Sequence, residues 1–518
     1  MQYGQKFDLD SGYDVQSLIK LISDQYAIKK GRKKFAGIVF YDTFDWRLFN
    51  KSLVLYESGK KLYLGKLSNR EPLLSLHITS MPVFVWQLPE NKLKEYLGPI
   101  IEMRALLKLV TLHSRSTTYS ILNQDEKTVA RLVHEEIRYS KREDSPVLSN
   151  HLLLQPVRGY TEYAQNIAGR LEESGIARGK EDDTFLKGME VVGKRPGSYS
   201  TKIDIRLDPV MRSDDAVKVI LHFLLGIIRI NESMIEQDID TEFVHDFRVA
   251  VRRTRSALGQ IKCVFPSKIT ERFKKDFSFM GKLSNELRDL DVYLLKEDSY
   301  RAKLPPVLRD DIGTLFDYLR EKRGKALQSL VQEMKSKRFR KILTDWEAFL
   351  NKPHQDTPGA INAGIPVVNL ARKRIYKKYK SVVKAGNRIL EDADEKKLHI
   401  LRIHCKKLRY LMEFFSSLFH SSKINHGIRL LKKLQDNLGD FNDLRVQEEY
   451  LIEITKELPL NHKNTNKTLV AIGSLIGALE RERGMIKTSS AETFMDFVSH
   501  ENRDLFRKLF TSKTSTGA

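Results

Sequence analysis

The chain reads as a multidomain protein, an N-terminal α+β domain built on antiparallel strands followed by an all-α, duplicated helical bundle. Three observations predict this. Short β-rich runs broken by turn residues dominate up to about residue 200. Beyond residue 210 apolar residues recur at spacings of three and four, the signature of amphipathic helices. Within that second part a basic helical segment occurs twice.

In the first part, strands are predicted at residues 35–41, 53–56, 62–67, 74–78, 106–112, 128–133 and 152–157, separated by turn signals such as Glu57-Ser58-Gly59 and Asn123-Gln124-Asp125. Helical patterns fall at 14–25 and 160–174. Residues 175–209 carry charge, Gly and Pro with little periodicity. The first domain is therefore expected to span 1–195, with a linker over 196–209.

The second domain, 210–515, is expected to hold two halves, about 210–350 and 366–515, parted by a Pro/Gly-rich stretch at 351–366. Helices are predicted at 216–235, 273–295, 312–334 and 339–350, beside the basic helix. Val244-His245-Asp246-Phe247-Arg248-Val249-Ala250-Val251-Arg252-Arg253-Thr254-Arg255 returns as Leu398-His399-Ile400-Leu401-Arg402-Ile403-His404-Cys405-Lys406-Lys407-Leu408-Arg409, offset by 154 residues (245 to 399). Arg288-Asp289-Leu290-Asp291-Val292 and Asn442-Asp443-Leu444-Arg445-Val446 keep that offset. Leu319-Arg320-Glu321-Lys322-Arg323-Gly324 and Leu479-Glu480-Arg481-Glu482-Arg483-Gly484 stand 160 apart (324 to 484), the drift of a loop insertion.

At about 100° per residue, His245, Arg248, Arg252 and Arg255 fall in one narrow stripe, and His399, Arg402, Lys406 and Arg409 repeat it. Val244, Phe247, Val251 and Leu258 form an adjoining apolar stripe, as do Leu398, Leu401, Cys405 and Leu408. A helix patterned in this way presents cations at the edge of a core. Two such helices facing each other make a groove for a polyanion.

Composition agrees. A net charge of +22 over 518 residues draws in polyanions, whether nucleic acid, anionic membrane or polyphosphate, and a hydrophobic fraction of 41% excludes wholesale disorder. Two cysteines, Cys263 and Cys405, can form neither a disulfide framework nor a metal quartet, which suits a reducing cytoplasm. The first residues lack the apolar core of a secretion signal. The most apolar stretch, 217–230, is interrupted by Lys218, His222 and Arg229 and is too short to span a bilayer. The expectation is a soluble, cytoplasmic protein with no membrane partner.

The segment 238–255, with Arg288-Asp289-Leu290-Asp291-Val292, closely resembles the CHAD (conserved histidine α-helical domain) family. The run 398–410 and Leu434-Gln435-Asp436-Asn437-Leu438-Gly439 resemble that family's second half. The resemblance covers about 205–515. It implies paired helical bundles with internal pseudo-twofold symmetry that bind inorganic polyphosphate along a basic groove and, for some members, association with polyphosphate granules.

The first domain resembles, more weakly, the CYTH family of triphosphate-tunnel proteins, through Tyr41-Asp42-Thr43-Phe44-Asp45-Trp46-Arg47-Leu48 and residues 154–160. Catalytic members of that family open with Glu-x-Glu-x-Lys, where two carboxylates hold a divalent metal. Gln2, Gly4 and Lys6 stand there in this sequence. The phosphate-gripping Leu-Arg-x-Arg is replaced by Leu53-Val54-Leu55-Tyr56, and the late Glu-Leu-Glu-Leu strand by Leu153-Leu154-Gln155-Pro156. Without those carboxylates no Mg²⁺ or Mn²⁺ site is expected, and the domain reads as a degenerate, non-catalytic relative.

Among the candidate ligands of polyphosphate, an imidazole can donate a hydrogen bond to a phosphate oxygen and adds charge when protonated. His-x₂-Arg spacing is not that of a metal site, and neighbouring His245 and Asp246 diverge on a helix, so no triad follows. Asp289 and Asp443 are expected to cap a helix or to hold an Arg, and Arg253 and Lys407, off the stripe, to be solvated. The run 372–380 carries six cations with interleaved tyrosines, which could stack bases or grip phosphates. As a helix it puts Arg374 and Lys378 on one face, with Lys377 beside them. Arg320, Arg323, Arg481 and Arg483 are further groove candidates. The expected function is non-catalytic polyphosphate binding without cofactor. The alternatives are a triphosphatase or related phosphohydrolase working through the first domain, which would need paired Glu ligands, and a nucleic-acid-binding module, which would need a base-reading fold.

Overall fold

The structure is a computed structural model that describes residues 4–10, 13–142, 144–179, 182–353, 358–391, 394–458 and 465–511. It divides into two units, Met1–Ser200 and Thr201–Ala518.

The first unit runs β1 (Gln5–Asp8), α1 (Val15–Ser23), β2 (Ala27–Lys30), β3 (Lys34–Asp42), β4 (Leu53–Ser58), β5 (Lys61–Lys66) and β6 (Pro72–His77). It continues with α2 (Lys92–Ile101), β7 (Leu107–Leu122), β8 (Thr128–Arg138), β9 (Val147–Pro156), α3 (Thr161–Glu173) and α4 (Thr184–Val191). The strands pair antiparallel in the order β1-β9-β8-β7-β3-β4-β5-β6, with β2 also on β7. Each predicted strand is present, and β1, β2, α2 and α4 are additional. α4 lies in the stretch read as irregular. Its Phe185 and Met189 are buried against Val110 and Leu112 of β7, so four residues of spacing were enough for one packed turn but too few to show a period.

The Tyr41–Leu48 motif has a structural task. The buried Asp42 carboxylate accepts the amides of Thr43, Leu48 and Phe49 at 2.7–3.0 Å and so closes the turn after β3. Burial raises its pKa to about 6 against the pull of those amides.

The second unit holds α5 (Ser213–Ile235), α6 (Glu242–Gln260), α7 (Ser267–Leu283), α8 (Asn285–Leu295), α9 (Glu297–Lys303), α10 (Gly313–Met334) and α11 (Lys337–Asn351). Then follow α12 (Val367–Glu391), α13 (Glu395–Phe414), α14 (Ser421–Ile454), α15 (Thr465–Phe497) and α16 (His500–Thr511). The duplication is carried into three dimensions. α5 and α12 start 154 residues apart (213 to 367), and the matched pairs Ala216/Leu370, Leu221/Ile375 and Ile228/Val382 are all buried. The helix predicted over 273–295 is two helices, broken at Ser284 (φ −94°, ψ 3°), whereas its counterpart α14 runs unbroken through Leu438.

The segment expected to be a linker is not free. Ile203 and Leu207 are buried, the Leu207 amide donates to Ser417 Oγ at 3.2 Å, and the Thr201 carbonyl accepts from Arg253 at 2.8 Å. Residues 201–209 thus belong to the helical unit, and the division falls after Ser200, within the stretch 196–209. α6 packs on α13 across the pseudo-twofold. The Tyr293 and Tyr450 rings stack 4.3 Å apart, and the Tyr300 hydroxyl donates to Gln447 Oε1 at 2.6 Å. Among the described residues no helix is long and apolar enough to cross a membrane.

Candidate polyanion-binding site

At the start of α6 the buried Asp240 carboxylate accepts the Glu242 amide at 3.0 Å, which places His245 in the first turn. Phe243, Val244, Phe247, Ala250 and Val251 turn inward, while half-buried His245, Arg248 and Arg252 and exposed Arg255 run along the flank. α13 repeats the arrangement. Leu398, Leu401, Cys405 and Leu408 are buried, Arg402, Lys406 and Arg409 half-buried, and His399 exposed.

Polar neighbours orient these groups. Arg248 Nη1 donates to Asn285 Oδ1 at 2.5 Å and reaches Ser284 Oγ at 3.5 Å, both at the break between α7 and α8. His399 Nδ1 lies 3.1 Å from Asn442 Oδ1, and Arg402 Nη2 lies 3.2 Å from Asp443 Oδ1. Burial pushes the Asp289 pKa up, Arg248 and Arg288 pull it down, and Asp443 adds to the push. The two aspartates therefore stand within electrostatic reach of each other, and Asp443 holds a stripe arginine in place.

The two stripes meet. Arg252 Nε donates to the Tyr410 hydroxyl of α13 at 2.8 Å. Lys406 sits within reach of Arg252 from the first half and of Arg402 and Arg409 from its own helix, with Asp443 opposing them. Burial first, and then these guanidiniums, pull its pKa down to about 7. Beside α6, a depression of 340 Å³ is lined by Arg248, Arg252, Arg255, Lys282 and Asn285. Lys282 escapes sequence reasoning because the apolar period runs straight through the break that follows it.

Other predicted residues have different surroundings. Arg323 forms a bidentate pair with Asp238 at 2.6 and 2.7 Å and donates to Asp291, a fully buried carboxylate, at 2.8 Å. Arg483 pairs with Glu448 at 3.0 Å and with Glu395. Both arginines are thus already engaged by carboxylates of other elements, and their pairs brace the bundle. Arg320 is likewise paired, with Asp317 and Glu297. Arg253, expected to be solvated, is only 13% exposed and pairs with Glu413 at 2.9 Å, whereas Lys407 is exposed. Arg374 and Lys378 do share a helix face, but the charged neighbours of Lys378 are Lys407, Lys262 and Lys377, none of them in the stripe.

The first unit carries a 790 Å³ cavity whose lining includes Gly4, Lys6, Tyr56, Arg70, Glu135, His151, Gln155 and Asp182. Four of these positions, Gly4, Lys6, Tyr56 and Gln155, were singled out from the sequence, while Gln2 lies outside the described residues. Arg70 pairs with Asp182, His151 Nε2 lies 3.2 Å from Glu135 Oε2, and Glu71 pairs with Lys66 at 2.8 Å. Burial works to raise the Glu135 pKa, but His151, Arg70 and Ser114 outweigh it and hold it at about 2. Among the described residues each carboxylate of the lining is thus already engaged, Glu71 and Asp182 by a cation and Glu135 by His151 and Ser114, a donor set that does not fit a divalent metal. Nor do the described residues contain a cluster of three or more His, Cys, Asp or Glu side chains able to hold one.

Residues 220–451 match the CHAD domain family. The helical unit contains a CHAD domain. Two uncharacterized proteins, from two strains of Mycobacterium tuberculosis, are 24% identical over 215 residues, which is 40% of this chain. The match spans 40% of the length of those curated relatives. The crystal structure of the CHAD domain from the plant Ricinus communis aligns with TM-score 0.48 and 24% identity, covering 60% of this chain and 96% of that one. PptA from Streptomyces chartreusis aligns with TM-score 0.44 and 14% identity, covering 55% and 99%. The CHAD match begins within α5 and ends within α14, so α15 and α16 of the helical unit lie beyond it. The curled antiparallel sheet of the first unit is compatible with a CYTH-like tunnel fold.

Proposed function

We propose that the CHAD domain binds inorganic polyphosphate, without catalysis, along the cations that α6 and α13 bring together. The observation that carries this reading is Lys406, half-buried, whose charged neighbours Arg252, Arg402 and Arg409 come from both halves. A polyphosphate chain is charged along its whole length and offers no bases to read. It is matched by evenly repeated guanidinium forks and ammonium groups backed by His245 and His399. Affinity then arises largely from released counterions and falls steeply with salt. The cellular setting of this reading is the cytoplasm and its polyphosphate granules.

The test is to change Arg248, Arg252 and Arg255 together to Ala, leaving Arg402, Lys406 and Arg409. Three lost contacts at about 0.5–1.5 kcal/mol each weaken binding at least about tenfold. An unchanged affinity in the folded variant removes the stripe from the site. Competition with RNA of equal charge separates this reading from nucleic-acid binding. The reading extends to the first unit, whose cavity carboxylates are already paired. With Mg²⁺ or Mn²⁺ and inorganic triphosphate the protein releases phosphate no faster than buffer, and metal-dependent turnover would refute that part.

A further inference from the structure

The duplication provides an internal control for every position, and one face fails it. On the outer side of α12 and α13, half-buried Arg374, Lys378 and His404 are ringed by exposed Lys262, Lys377 and Lys407. Lys378 has Lys407, Lys262 and Lys377 as charged neighbours, and His404 has Lys378 and Lys407. Among the described residues no carboxylate pairs with any of these cations.

The counterparts 154 residues earlier are Ile220, Leu224 and Ala250, all buried, for Arg374, Lys378 and His404. The counterpart of Lys407 is Arg253, which is neutralised by Glu413, and the position that corresponds to Glu413 in turn is Gly259. The second half has therefore replaced apolar packing by cations, and Lys407 meets Gly259 of the first half where Arg253 meets a carboxylate.

The local chain is built to hold this arrangement. Cys263 adopts a left-handed backbone (φ 60°), costly for a residue with a Cβ. The Lys262 carbonyl beside it accepts from Arg374 Nη2 at 2.7 Å and from Asn362 Nδ2 at 2.8 Å. Arg374 Nε and His404 Nδ1 are buried without a hydrogen-bond partner. Like charges gathered without a counterion, beside polar nitrogens left unsatisfied, are destabilising unless an anion completes them.

We infer that this face is a second anion site, separate from the stripe, which takes a compact phosphate-bearing anion. The angular order on α13 keeps the two apart. At about 100° per residue, His404 and Lys407 lie roughly 100–160° from Lys406, with the stripe on one flank of the buried face and His404 on the other. The phosphate chemistry rests on the polyphosphate reading, whereas the location rests on the duplication alone. Half-buried ammonium and imidazole groups at close quarters suit a ligand with several charges in a small volume, such as a short phosphate oligomer or the end of a long one.

The experiment titrates the full chain with inorganic triphosphate and, separately, with long-chain polyphosphate. It compares the parent, the stripe variant R248A/R252A/R255A and the face variant K378L/K407Q. Triphosphate binding is expected to survive in the stripe variant and to weaken at least about tenfold at this face in K378L/K407Q. The single variant K378L, which restores the residue type of Leu224, is expected to melt higher than the parent without anion and to gain less from triphosphate. Equal triphosphate affinity and stoichiometry in K378L/K407Q and parent overturn the second site. So does loss of all triphosphate binding in the stripe variant, an outcome that leaves the polyphosphate reading intact. If long chains bind the stripe variant as tightly as the parent while K378L/K407Q is impaired, the stripe reading falls and this site stands.

Discussion

Lys406 shows what one residue can report. Its pKa near 7, against an ordinary 10.5, leaves the free protein short of a proton at this position between those values. An anion bound among Lys406, Arg252, Arg402 and Arg409 favours the charged form, so binding takes up a proton and weakens as pH rises from about 7. The sign for stability is opposite. The unfolded chain binds the extra proton between about 7 and 10.5, so in the absence of ligand this group makes the fold more stable as pH rises through that window. Replacing Lys406 with Arg, which stays charged, is expected to flatten the binding profile between pH 6 and 8.5, as read by calorimetry in buffers of different ionisation enthalpy. An identical slope in K406R and parent would exclude Lys406 as the titrating group. The stripe that contains Lys406 was legible because helical period alone aligns its members. The ion pairs of Arg323, Arg483 and Arg253 were not legible, because their carboxylate partners, Asp238 and Asp291, Glu395 and Glu448, and Glu413, come from elements that only the tertiary fold brings near.

At the scale of elements, alternation and turn residues located the long strands, and the 3.6 period located most helices. What they missed shares a cause. β1 and β2 are four residues long, too short for a pattern, and α4 shows its inward face through few side chains. The break at Ser284 is silent because Phe277, Met280, Leu287 and Leu290 keep the apolar spacing across it, and all are buried. That break is where Arg248 finds Ser284 and Asn285, while the unbroken α14 offers Arg402 and His399 the side chains of Asp443 and Asn442 instead. One ancestral helix pair thus supports equivalent cations by two local solutions, and only their cationic ends remained alike in the sequence.

For the whole helical unit, the meeting of α6 and α13 means that, on the polyphosphate reading, one polyanion touches both halves. Neither residues 205–355 nor residues 360–515 alone are expected to match the affinity of the intact domain for long-chain polyphosphate, because joining two weak sites raises the effective concentration of the second. Helicity of each half must be confirmed by circular dichroism, since separation strips the Tyr293–Tyr450 stack and the Arg252–Tyr410 bond. A folded half that binds as tightly as the intact domain would mean that the site lies within one bundle. The pseudo-twofold axis has a further consequence for a polymer with no head or tail. Such a chain is the same read from either end, and on the polyphosphate reading a cradle whose two cationic stripes are related by the axis accepts it in both directions. On that reading no encounter is wasted on wrong polarity, and a bound segment can reptate past the axis from one stripe to the other. A directional polymer such as RNA gains no such degeneracy, so on the polyphosphate reading the symmetry itself sorts ligands by whether their backbone has an arrow.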